Sequence, residues 1–193
     1  MNNLLIDRLN TNRVALHEVG HYIIARVLGF RTQGIKVNLN DSENEAASGI
    51  ILVKPLVSTQ EIINYLEKRV QVLFSGALSE AIVNGKVDED KACVCLKKNG
   101  KDDYSKAREL IQLLRNIIYL DNCSDLSMKD TDQQIQQISD ALWEKAIMHV
   151  ESEYTNIAGL SDNLESIIIK SGGKAELTEN YINNLPAIRV RFL

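Results

Sequence analysis

His17, Glu18 and His21 are the residues of this 193-residue chain whose types and spacing most directly spell out a chemistry. On an α-helix, positions four apart lie on one face, so the two imidazoles of His17-Glu18-Val19-Gly20-His21 can grip one divalent ion. Glu18 then sits one position round, beside the water that such an ion would activate. The pattern HExxH is thus a metal site with its own base, and it points to a metallopeptidase. A catalytic zinc lowers the pKa of its water to about 7, and the glutamate takes the proton as that water attacks a peptide carbonyl, then passes it to the leaving amine. The chain has only three histidines, and random placement would give HExxH in roughly a few per thousand such sequences. The competing reading is a pair of hydrogen-bonded helix histidines beside a salt-bridged glutamate.

The elements that must position these residues follow from periodicity. Val14, Leu16, Val19, Ile23, Ile24, Val27 and Leu28 recur at helical spacing, with Thr11 or Asn12 as the expected cap and Gly29 as the expected end. Both histidines therefore fall inside a buried helix, where a bound cation would offset the cost of burying two imidazoles and a carboxylate. Gly34 to Asn40 and Ser48 to Val53 read as two short strands joined by the polar loop Asp41 to Ala47. Ser58 and Glu61 make a capping box before a long helix that runs to about Val83, loosened at Ser75-Gly76 and stopped by Asn84-Gly85. Lys86 to Lys101 is polar and reads as a loop. A third helix starts at Asp102 or Asp103 and ends near Leu120. A longer periodic stretch runs from Thr131 to Ile169, with a break expected near Ala158-Gly159 and an end at Gly172-Gly173. Thr178 to Leu185 makes a last short helix, and Ala187 to Leu193 reads as an extended or disordered tail. The expected fold class is mainly α with a small β-sheet, an α+β arrangement.

Composition bounds the answer. With 45% hydrophobic and 25% charged residues, the chain has material for one packed core, so residues 1–193 are expected to form a single domain: a metal-site half over 1–130 and a C-terminal helical part over 131–193. A formal net charge of −4 with evenly spread basic residues leaves no footprint for nucleic acid or an anionic membrane surface. No run of about 18 apolar residues and no signal-peptide pattern is present, so the expected location is cytoplasmic. Cys93, Cys95 and Cys123 are odd in number and read as reduced thiols, with metal binding or a response to oxidants as the alternative for Cys93 and Cys95. No phosphate-binding GxxxxGK[ST] loop exists, which excludes P-loop ATP hydrolysis by this chain.

Ala15-Leu16-His17-Glu18-Val19-Gly20-His21 resembles the HEAGH-type helix of the M41 peptidases, the protease domain of the membrane-bound, ATP-dependent FtsH proteins. The similarity continues through the strand Ile35-Lys36-Val37, the helix Leu73-Phe74-Ser75-Gly76-Ala77-Leu78-Ser79-Glu80-Ala81-Ile82, the helix start Asp102-Asp103-Tyr104-Ser105-Lys106-Ala107-Arg108 and the closing run Leu164 to Leu185. The resemblance implies a helical zincin-type fold like that of the FtsH peptidase domain, one Zn2+ per chain held by His17, His21 and Asp103, and Glu18 as general base. Asp102 and Glu80 are rivals for the third ligand, Glu80 with the alternative of orienting an imidazole. The Arg of the family's GRAAEE segment is Ala77 here, and the loop before Asp103 is longer and lacks Thr-Thr-Gly. The family's ATPase domain and membrane anchor have no counterpart in these residues, so the chain reads as a standalone peptidase domain.

The substrate so implied is a flexible or unfolded polypeptide, which the strand Ile35 to Leu39 could bind by edge pairing. Folded substrates would need a separate ATPase or unfoldase, and a homo-oligomer like the family's hexamer is a further partner to consider. No second oxyanion stabiliser can be named: His149, Tyr22 and Tyr104 are each equally well explained by packing. Two rivals stand beside the enzyme: a catalytically inactive, zinc-stabilised binding or regulatory module of the same fold, and a metal-free helical interaction protein. The ligand set suits iron or cobalt as well as zinc.

Overall fold

The computed structural model describes residues 8–40, 45–51, 55–119 and 128–192. The chain is mainly helical with a small antiparallel sheet, as its patterning predicts. Helix α1 (Arg8–Val27) carries the HExxH residues and packs its apolar face against α2 (Thr59–Glu80) and α6 (Tyr154–Lys170). The expected cap at Thr11 or Asn12 is not one: both lie within α1, and Thr11 is fully buried. At the other end Gly29 adopts φ +82° and closes the helix.

Strands β1 (Arg31–Asn38) and β2 (Glu45–Ile51) pair antiparallel, and β5 (Lys174–Thr178) adds on the far side of β1, giving the order β2-β1-β5. This overturns the edge-pairing role expected for Ile35 to Leu39. Within that segment, Ile35 to Asn38 belong to the central strand, bonded on both sides, and the free edge near α1 belongs to β2. The third strand escaped the sequence reading because Lys174 to Thr178 buries only Ala175 and Leu177, too short an alternation to stand out.

Ser58 caps α2 as expected, accepting from the Glu61 backbone N–H while Glu61 accepts from Val57 N–H and Ser58 Oγ–H. The helix ends at Glu80, short of Val83, because Ile82–Val83 (β3) turns back through Asn84 and Gly85, both at positive φ, onto Lys86–Val87 (β4). It is continuous through Ser75-Gly76. The expected loop Lys86 to Lys101 is largely a helix, α3 (Glu89–Lys98), capped by Asp88 and seated on Ala92 and Leu96. Two buried residues one turn apart are a weak periodic signal against so many charges, which is why the segment reads as a loop. Helix α4 (Lys101–Ile118) follows directly, with Asp102 and Asp103 in its first turn.

The C-terminal part holds α5 (Met128–Ser152) and α6, broken at Glu153 rather than near Ala158-Gly159. Gly159 is tolerated inside α6, with open space around it. The break falls at Glu153, whose buried carboxylate accepts two N–H bonds from Arg191. Arg191 belongs to α8 (Pro186–Phe192), which forms where an extended or disordered tail was expected. Pro186 takes the first helical position, where its missing N–H costs nothing, and Ile188 anchors the helix in the core. Between them α7 (Glu179–Asn183) is capped by Thr178. Buried side chains from both expected halves form one continuous apolar cluster, from Val14 and Ile24 to Leu164 and Ile188. Among the described residues no helix is long and apolar enough to cross a membrane. The expected helix end at Leu120, the end of the second strand at Val53, and Cys123 lie outside the described residues, while Cys93 and Cys95 are free thiols.

Candidate metal centre

Three helices bring the site together. His17 and His21 project from one face of α1, four residues apart, onto the middle of α2, and the first turn of α4 delivers Asp103 from the other side. Such close approach of α2 needs Gly76: a Cβ there would lie 2.6 Å from His21 Nε2 and 2.7 Å from His17 Cε1. The Ser75-Gly76 pair therefore marks a contact surface for two imidazoles rather than a weak point in the helix. Gly20 does the same from α1, since a Cβ would lie 2.3 Å from Ser79 Oγ.

The second nitrogen of each ring decides what the first can do. His21 Nδ1 lies 2.7 Å from the Val72 carbonyl, which can only accept, so Nδ1 carries the proton and Nε2 presents a lone pair. His17 Nδ1 lies 2.7 Å from Glu80 Oε1, and donation to that carboxylate likewise leaves Nε2 as the acceptor end. The two Nε2 atoms then face each other at 3.0 Å, with Asp103 Oδ2 3.1 Å from His17 Nε2 and 3.0 Å from His21 Nε2. Two lone pairs and a carboxylate oxygen converge on one point. With both Nε2 atoms unprotonated such a triangle repels itself, and either a proton on His17 Nε2 or a bound cation relieves it.

The electrostatics express the same demand. Burial pulls the His17 pKa down, but hydrogen bonds to Asp103 and Glu80 and the charges of Glu18 and Glu80 outweigh it and raise the pKa to about 10. Burial pushes the Asp103 carboxyl up, yet the two imidazoles more than offset this and hold it well below the usual carboxylate range. The cluster thus attracts positive charge strongly. His17, His21 and Asp103 are also the set of ligand-bearing side chains, among the described residues, whose atoms lie within 4.8 Å of one another. Their mutual spacing is one that three ligands each about 2.0–2.2 Å from a single ion can adopt, and each imidazole has the outer hydrogen bond that metal-bound histidines usually make.

The rivals for the third position separate cleanly. Asp102 is exposed and outside the cluster. Glu80 is buried and touches His17 only through Nδ1, the ring atom facing away from the cluster, so it orients the imidazole. Arg13 and Asn99 hold its other oxygen, at 3.7 and 3.3 Å. No sequence signal marked Val72, whose contribution is a backbone carbonyl. Arg13 and Asn99 are ordinary polar residues until the fold brings α1, α2 and the end of α3 together.

A cleft of about 530 Å³ opens onto the cluster. Glu18 lines it with His17, His21, Asp103 and the β2 residues Ala46, Ala47 and Ile50. His149, Tyr22 and Tyr104 do not line it: His149 sits on α5, Tyr22 is buried in a network with Glu179, and Tyr104 packs beside Arg108. No protein-family model matches the chain, and no curated protein matches it significantly.

Proposed function

We propose that this protein is a zinc-dependent metallopeptidase that hydrolyses peptide bonds in flexible or unfolded polypeptides. The observation that carries this reading is the convergence of His17 Nε2, His21 Nε2 and Asp103 Oδ2, with their outward hydrogen bonds in place, beside a cleft that Glu18 also lines. His17, His21 and Asp103 would hold one Zn2+, leaving a fourth position open as catalytic zinc sites do. When bound, the ion supplies Lewis acidity, polarising the scissile carbonyl and acidifying a water. Glu18, nearly buried at the cleft wall, takes the proton of the attacking water and returns it to the leaving amine. Glu80 and Val72 keep the two imidazoles in the required tautomer. The β2 strand, at the edge of the described sheet with Ala46, Ala47 and Ile50 on the cleft, is where an extended substrate can pair, in place of the central strand β1. The resemblance of the HEVGH helix and the Asp103 helix start to M41 peptidases supports the same reading, including a helical zincin-type fold. Delivery by a separate ATPase, self-association and a cytoplasmic setting with reduced Cys93 and Cys95 belong to this proposal.

The test is metal content followed by activity. Protein purified without added metal or chelator should carry about one zinc per chain, lost in His17→Ala. Glu18→Gln should keep the zinc and lower hydrolysis of an unfolded substrate by about 10²–10⁴-fold, the contribution expected of a positioned acid–base group. Zinc retained with no hydrolysis in either protein would instead favour a zinc-stabilised binding module, and a protein empty even after zinc is supplied would favour a metal-free interaction protein.

A further inference from the structure

Four arginines of the described chain are at least partly buried: Arg13, Arg26, Arg69 and Arg115. Three are satisfied. Arg13 bonds Asn10 and lies near Glu80, Arg26 bonds Tyr22 and Asn183 and pairs with Glu179, and Arg115 bonds Gln134 and Asn116. Arg69 has no hydrogen bond or ion pair among the described residues. Its own helix cannot provide one, because the positions three and four away are Tyr65, Leu66, Val72 and Leu73. A guanidinium partly removed from water without a counter-charge is short of partners, and arginine is the side chain best shaped to take a carboxylate through two parallel N–H bonds.

Arg69 lines the cleft that opens onto the metal cluster, with β2 residues Ala46, Ala47 and Ile50 on the same cleft. Of the carboxylates on or behind this cleft, Asp103 is committed to both imidazoles and Glu80 to His17, Arg13 and Asn99, while Glu18 and Asp102 line it without an ion pair to Arg69. Arg69 precedes Gly76, the residue beneath the two imidazoles, by two turns of α2, which is about 10 Å along the helix axis. That rise corresponds to about three residues of an extended peptide. Exposed Lys106 faces the same cleft from α4, also without an ion-pair partner among the described residues.

We infer that Arg69 is a specificity residue that binds a carboxylate of the substrate about three residues from the scissile bond, so that the cleft selects acidic peptides. The inference rests on the peptidase reading and narrows its substrate class. The carboxylate has two sources, an Asp or Glu side chain or the free C-terminus of the peptide. Either supplies two acceptor oxygens to the same guanidinium.

The experiment compares zinc-loaded wild type, Arg69→Gln and Arg69→Glu on two peptide series: Glu against Gln at each position up to four residues either side of the cleaved bond, and free acid against C-terminal amide. Each protein serves as its own reference, since only the ratio of kcat/KM within a pair is read, and circular dichroism and zinc content confirm that the variants fold. The expected result is a ratio of about tenfold or more in wild type, falling to near one in Arg69→Gln, with Arg69→Glu preferring Gln over Glu at that position. A ratio carried by the internal Glu identifies a side chain as the ligand, and one carried by the acid–amide pair identifies the chain end. Equal ratios in wild type and Arg69→Gln in both series overturn the inference. If wild type hydrolyses nothing, the peptidase reading fails by itself, and the same peptide pairs are then compared by fluorescence anisotropy. A binding preference for the carboxylate that disappears in Arg69→Gln upholds the role of Arg69, and equal affinities overturn it.

Discussion

Two polar clusters hang on helix α1 with adjacent anchors, His21 and Tyr22, and they are built on opposite principles. Around Tyr22 and Arg26 every strong acceptor meets a donor. Tyr22 O–H donates to Glu179 at 3.0 Å, Thr32 Oγ–H donates to the same carboxylate, and Arg26 donates to Tyr22 and to Asn183. Phe192 covers the guanidinium, its ring centroid 4.6 Å from Arg26 Cζ. That network is complete and joins α1, β1 and α7. Around His17 and His21 the outward ring nitrogens are equally well satisfied, but the inward ones and Asp103 present acceptors to one another at a cleft. Counting buried ionisable groups would rank the two clusters alike. What separates them is the direction of the lone pairs, matched to protons in one and converging on one another in the other.

The largest effect that tests this contrast is removal of a converging acceptor. Asp103→Asn keeps the shape but replaces a charged oxygen with a neutral one, and zinc content after dialysis should fall from about one per chain to near zero. Thermal unfolding should show the same loss: excess zinc should raise the melting temperature of the wild type and not that of the variant, since a ligand at about 1,000 times its Kd contributes about 4 kcal/mol. An equal zinc-dependent rise in both would move the ion elsewhere. A smaller effect is expected from the residue that orients His17. Glu80→Gln should weaken zinc binding by about 10–100-fold without removing it, measured by competition with a chromophoric chelator. Unchanged affinity would reduce Glu80 to a packing role.

The closed cluster predicts the smallest effect and a different readout. Tyr22→Phe removes a buried hydroxyl from the network and should cost about 0.5–1.5 kcal/mol in denaturant unfolding with zinc affinity unaltered. Its pH dependence has a definite sign. Burial raises the Tyr22 pKa from 10 to about 12, as does the Glu179 charge, against the lowering effect of Thr32 and Arg26. A group raised on folding contributes stability that is complete below the unfolded value and lost as pH climbs through the folded one. Wild type should therefore lose this contribution between about pH 10 and pH 12, and Tyr22→Phe should lose less over that range. A zinc affinity that changed with Tyr22→Phe would show the two clusters to be coupled.

Much of this arrangement could be read in advance, and the misses share a cause. The α1 period, the Ser58 capping box, the Asn84-Gly85 turn and the β1–β2 hairpin each rest on contacts between residues close in sequence, and each lies near its expected place. Helix α3, strand β5 and helix α8 are held mainly by distant partners. Ala92 and Leu96 reach into the common core, β5 completes a sheet begun some 140 residues earlier, and α8 is tied down by Arg191 on Glu153. Short segments with two or three apolar anchors carry little periodic signal, so their structure shows only once the surface they dock on exists.

The sequence by itself determined that His17, Glu18 and His21 share one helix, because 3.6 residues per turn leave no other choice once the helix forms. It also determined that the chain is mainly helical and carries a small antiparallel sheet, through its hydrophobic periods. Only the tertiary structure decided which carboxylate meets the imidazoles, which way each ring turns, and which strand edge borders the cleft. Asp103, Asp102 and Glu80 are the same chemistry in a sequence. They differ because α4 aims one into the cluster and one away, while α2 places the third behind His17, and those directions come from packing among helices far apart along the chain.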